Sequence, residues 1–89
     1  DSYSWFESVS RALNYEMQRE AYVKESQAFF QFVEGAFRTG SAEVKNCIDV
    51  AFVENLFWEV SPKKAEPYWQ ALPQALQKLY VEFHARTPL

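Results

Sequence analysis

The sequence predicts an all-α fold: a small helical bundle of three to five helices around a central helix at about 42–60. Three observations carry this. Apolar residues recur at spacings of three and four in several stretches. The longest apolar run, Val44 to Val60, does not alternate with period two and is too long for an ordinary strand. Breakers are scarce, with two glycines and four prolines, which favours long helices over a sheet protein full of turns.

At 89 residues the chain makes one domain, spanning 1–89, with a modest stability margin. Hydrophobic residues are 48% and aromatics 18%, which argues against disorder. Eight Phe, five Tyr and three Trp exceed what so small a core needs, so some belong at a surface or an interface. Net charge is −3, with acids and bases interleaved and no basic patch to follow a phosphate backbone, so nucleic acid is not an expected partner. No apolar window is long enough to cross a bilayer, so no membrane role is expected. The lone cysteine, Cys47, excludes an internal disulfide and reads as a small buried apolar residue. It fits a reducing cytoplasm, the expected location.

In chain order, Ser2 or Ser4 is suited to cap the first helix. Phe6, Val9, Leu13 and Met17 form one helical stripe, and Phe29 or Phe30, Val33 and Phe37 another. The phase shifts between them. Two arrangements fit: one helix of about 35 residues, or two with a break near 15–20. With no breaker residue present, the reading favours a long helix bent or interrupted near 16–20. Gly40 suits a left-handed helix end and Ser41 the next N-cap, so the second stripe should pack antiparallel on the central helix. Val44, Ile48 and Phe52 would then meet Phe37, Val33 and Phe30. The central helix is expected to end near Val60, before Ser61-Pro62. Pro67 should split the next segment into a turn at 62–66 and a short helix at 67–71. Pro73 opens a final helix with Leu76, Leu79, Tyr80 and Phe83 on its apolar face.

No catalytic or metal cluster emerges, and no cofactor is expected. The one histidine, His84, has no ligand-type residue at metal-site spacing and reads as a surface or helix-capping residue. Glu54 and Asn55 are the anomaly, two polar residues within the most apolar run. The favoured reading pairs Glu54 inside the core with Arg38, Lys64, Tyr68 or Trp69, while Asn55 ties down a loop. A second has the pair line a partner groove. A third makes Glu54 a catalytic carboxylate, but a lone acid cannot carry most acid–base chemistry. Tyr68 and Trp69, held between prolines, suit an interaction hot spot or a lid on the core. Trp5 and Trp58 have the same ambiguity.

From Phe29 to about Phe83 the chain resembles an uncharacterised family of small helical bacterial domains. The residues that carry the resemblance are FFQFVEGAF, a glycine turn, AEVKNCIDVAFVENL, a proline-containing short helix and LPQALQKLY. The recurring Phe-aliphatic-Glu-Asn-Leu motif is matched by Phe52, Val53, Glu54, Asn55 and Leu56. The resemblance implies a helical domain of unknown function, with no assigned activity, in a style associated with immunity partners of bacterial toxins. The expectation is therefore a non-enzymatic protein-binding module, an immunity or regulatory protein that blocks a toxin or enzyme, or else a homo-oligomer. The alternative is a small ligand-binding or enzymatic domain using Glu54 and Asn55 in a pocket.

Overall fold

In the computed structural model, which describes residues 1–89, five α-helices and one π-helical segment form the expected all-α bundle. Helix α1 covers Ser2–Gln18 and α2 covers Val23–Thr39. The cap of α1 is Asp1 rather than Ser2 or Ser4: its carboxylate accepts from the Ser4 amide at 2.8 Å.

The first 38 residues thus contain two helices with a sharp break, not one bent helix. Glu20 and Tyr22 take left-handed φ values of 57° and 59° without a glycine. The reason lies across the fold. Lys64 Nζ donates to the Gln18 carbonyl at 2.8 Å, and the Tyr68 hydroxyl donates to the Ala21 carbonyl. Carbonyls that a continuing helix would have used are satisfied from helix α4 (Pro62–Ala71).

Gly40 joins α2 to α3 (Ala42–Cys47) with an extended backbone at φ −77°, not the expected left-handed one. Glycine is needed there for space: a Cβ would sit 2.5 Å from the Ala36 carbonyl and 2.8 Å from a Val44 methyl carbon. Ser41 caps α3 as expected, accepting from the Val44 amide at 3.2 Å.

Helix α3 runs straight into a π-helical segment, Ile48–Val53, and regular helix stops there. Residues 54–59 are successive turns, so the central helix is shorter than the predicted 42–60. Its central position holds nonetheless: Cys47, Ile48, Phe52 and Val53 are completely buried. The Phe52 ring meets Phe6, Phe29 and Phe30 with centroids 6.2–6.4 Å apart, which brings α1 and α2 onto the segment and makes the expected Phe52–Phe30 contact.

Helix α4 is continuous over Pro62–Ala71, with Pro67 inside it. The expected split does not occur. Pro67 forgoes one backbone bond, but Ala65, Tyr68 and Trp69 bury the same helix face and hold it. Helix α5 covers Gln74–His84, with Pro73 as its N-cap and left-handed Ala85 ending it.

Candidate functional site

The site is built where α1, the 54–59 turns and α5 meet. Its organiser is Asn14, which the sequence reading did not single out. Asn14 is 6% exposed and faces the turns from α1. Its Nδ2 donates to the Asn55 carbonyl at 2.9 Å, and its Oδ1 accepts from the Phe57 amide at 2.7 Å. One turn earlier, Ser10 Oγ donates to the Phe52 carbonyl at 3.0 Å. Ser10 and Asn14 are four apart, so one face of α1 holds the backbone on both sides of the exit from the π-helical segment. The only signal in the sequence was two polar residues on the apolar side of α1, next to Phe6, Leu13 and Met17.

The clamp fixes an unusual backbone. Phe57 and Glu59 adopt left-handed φ values of 69° and 56°. Neither is a glycine, so the conformation carries strain that the surrounding contacts must hold. Between them Trp58 projects outward, 68% exposed. Its surroundings include Arg11, Gln18 and the equally outward Tyr15, 60% exposed, along shallow clefts between the turns and α1.

Glu54 and Asn55 do not act as a pair. Asn55 Nδ2 donates back to the Ala51 carbonyl at 2.9 Å, a local structural bond that fits the expected loop-tying role. Glu54 turns the other way, toward α5. None of Arg38, Lys64, Tyr68 or Trp69 is its partner, and its carboxylate makes no ion pair within the chain. The buried-network reading of Glu54 is therefore corrected: the helix ends before residue 54, and the side chain stays half-exposed. It lines a cavity of about 250 Å³ with Asp49, Glu82, Leu79 and Phe83. Partial burial and the neighbouring Asp49 raise the Glu54 pKa above the ordinary value, against a lowering by His84. Asp49 is raised in the same way, by burial and by Glu82.

His84 joins α5 to this region. Its Nε2 lies 3.2 Å from the Glu54 carbonyl, which can only accept, so Nε2 carries the proton. The ring also stacks on Tyr80, with centroids 4.1 Å apart.

Tyr68 and Trp69 are core residues. Tyr68 is 0% exposed, with its hydroxyl on the α1–α2 break, and Trp69 is 9% exposed, edge-on to Phe57 and Tyr80. They lid the core, and an edge of Trp69 reaches an open groove of about 550 Å³ beside Gln74 and Lys78. No group of three or more His, Cys, Asp or Glu side chains is placed to hold a metal ion. No helix is long and apolar enough to cross a membrane.

Over residues 1–86 the chain matches the family described as Domain of unknown function (DUF7674). The chain belongs to that family. The match includes α1, which supplies Ser10 and Asn14, as well as the stretch from Phe29 onward that carries the resemblance in the sequence. No curated protein and no solved structure matches the chain.

Proposed function

We propose that this DUF7674 domain is a non-enzymatic protein-binding module, working in the bacterial cytoplasm as an immunity or regulatory protein that binds and blocks a toxin or enzyme. The observation that supports this reading is the presentation of Trp58. A buried asparagine clamp and two left-handed residues hold a large aromatic side chain in solvent, where the core gains nothing from it. Trp58 stands beside Tyr15 and Arg11. Trp, Tyr and Arg are the residue types that dominate binding energy at interfaces. A second copy of the chain in the partner's place is the homo-oligomeric form of the same reading. The net charge of −3 favours a protein partner over a nucleic acid.

The test is co-expression of the tagged chain with the products of adjacent genes, followed by calorimetry on any purified complex. Trp58→Ala is expected to leave the circular dichroism and melting temperature unchanged. It should weaken the complex by roughly 30-fold or more, the effect of losing a hot spot. A chain that sediments as a monomer and captures none of those products sinks the reading, and so does a complex indifferent to Trp58→Ala.

A further inference from the structure

The turn between α1 and α2 is built against its own sequence. Residues 1–34 contain no glycine and no proline, and Arg19, Glu20, Ala21 and Lys24 are residue types that favour helix. Yet Glu20 and Tyr22 are left-handed, a conformation that disfavours any residue with a Cβ. Tyr22 also stands at the N-cap of α2 and gives it no side-chain bond. The amides of residues 22–25 make no hydrogen bond within the chain. A straight helix through the turn would pair them with the carbonyls of residues 18–21 and remove both left-handed conformations. What holds the turn closed is the bond from Lys64 to the Gln18 carbonyl and that from Tyr68 to the Ala21 carbonyl.

A single globule cannot contain that straight helix. From Ser2 to Thr39 it would span about 57 Å at the usual helical rise, against a longest molecular dimension of 34 Å. Its two halves would also face apart. The buried residues of α1 end at Met17 and those of α2 begin at Ser26, about two and a half turns later and so on the opposite side. One globule would therefore sit on each side of the helix. Once out of its own bundle, α1 cannot remain in solvent. It carries the buried Phe6 and Met17, and its Ser10 and Asn14 are the partners of the Phe52 carbonyl and the Phe57 amide. The surface shaped to receive it is the same surface on a second copy of the chain.

We infer that two copies of this chain exchange α1. The turn at residues 19–22 straightens, α1 and α2 become one helix in each chain, and each α1 docks on the other copy's 48–59 segment. The contacts of α1 with the bundle are kept, because the same residues make them between chains. The exchange makes the candidate site composite. Asn14 of one copy clamps the other copy's turns, and its Tyr15 and Arg11 flank the other copy's Trp58. The exchange is independent of what Trp58 binds.

The experiment refolds the full chain from urea at micromolar and at millimolar concentration, followed by size-exclusion chromatography with light scattering. Concentrated refolding should yield a dimer that persists on dilution, since reversal requires α1 to be withdrawn. In a dimer refolded from mixed isotope-labelled and unlabelled chains, filtered nuclear Overhauser spectra should place the Asn14 side chain of one copy against Phe57 of the other. Glu20→Gly combined with Tyr22→Gly relaxes the turn and weakens the straight helix, so the dimer fraction should fall about tenfold or more. Lys64→Ala removes a bond that holds the turn closed and should raise the fraction several-fold. A chain that stays monomeric after concentrated refolding overturns the exchange. So does a dimer whose Asn14–Phe57 contact lies within one copy, or whose fraction is unchanged by the paired glycines. A dimer lost in Trp58→Ala is the homo-oligomer of the binding-module reading, and it too overturns the exchange.

Discussion

Asn14 and Phe57, 43 positions apart, are joined by a buried hydrogen bond of 2.7 Å from the Phe57 amide to the Asn14 side-chain oxygen. The same side chain donates to the Asn55 carbonyl. One residue of α1 therefore decides how the chain leaves its central segment. An amide and a carbonyl that a longer helix would have paired internally are paired across the fold instead.

Asn14→Ala should lower stability by about 2–3 kcal/mol, because it leaves the buried Phe57 amide without an acceptor. Urea unfolding measures this as a shift in midpoint at unchanged slope. Asn14→Asp keeps an acceptor for Phe57 but sets a buried, unpaired carboxylate against the Asn55 carbonyl, so it should not restore stability at neutral pH. Equal stability of wild type and Asn14→Ala would show that the clamp holds nothing.

Gly40→Ala should destabilise the chain by about 1–3 kcal/mol, through overpacking rather than dihedral strain. The new methyl group would press on the Ala36 carbonyl and on Val44, while φ at −77° suits alanine. Gly40→Ala combined with Val44→Ala should recover part of the loss in thermal unfolding, since one of the two opposing groups is then smaller. A combined loss equal to the sum of the single losses would place the effect elsewhere.

The carboxylates of Asp49 and Glu54 give stability a pH dependence of defined sign. Both pKa values are raised on folding, by burial first and by a neighbouring acid second. The folded chain thus holds these protons more tightly than the unfolded chain does. The two groups oppose folding when ionised, and their contribution becomes less favourable as pH rises through the ordinary values of 3.8 and 4.5 toward the raised ones. Glu54→Gln should therefore raise the melting temperature at pH 7. The gain should be within about 0.5 kcal/mol, the usual scale for a partly exposed position, and should vanish in acid below the ordinary value. Melting curves of the two proteins at several pH values check it; a gain that grows on acidification has the wrong sign.

Much of the fold was legible because it rests on local chemistry. The stripes ending at Met17 and Phe37, the Gly40-Ser41 punctuation and the prolines Pro62 and Pro73 mark helices that form where they are marked, within a few residues. The misreadings share a cause. The α1–α2 break is held by Lys64 and Tyr68, and the end of the central segment by Ser10 and Asn14, each more than 40 residues away in sequence. Pro67 remains inside α4 for the same kind of reason, since burial of its neighbours outweighs one missing backbone bond.

The Glu54-Asn55 pair shows the same division. Its presence in an apolar run marked the region that matters, and helical periodicity then placed both residues within a helix. By itself the sequence determined the helical class, the central position of the stretch at about 42–60 and the surplus of aromatic side chains. Only the tertiary structure decided that Tyr68 and Trp69 go inside, that Trp58 goes outside, and that Glu54 faces α5 while Asn55 secures its own turn. Periodicity and capping act within a turn or two of helix. The competition for backbone donors and acceptors is settled by whichever side chain the packed fold brings near, and that proximity appears only once the helices meet.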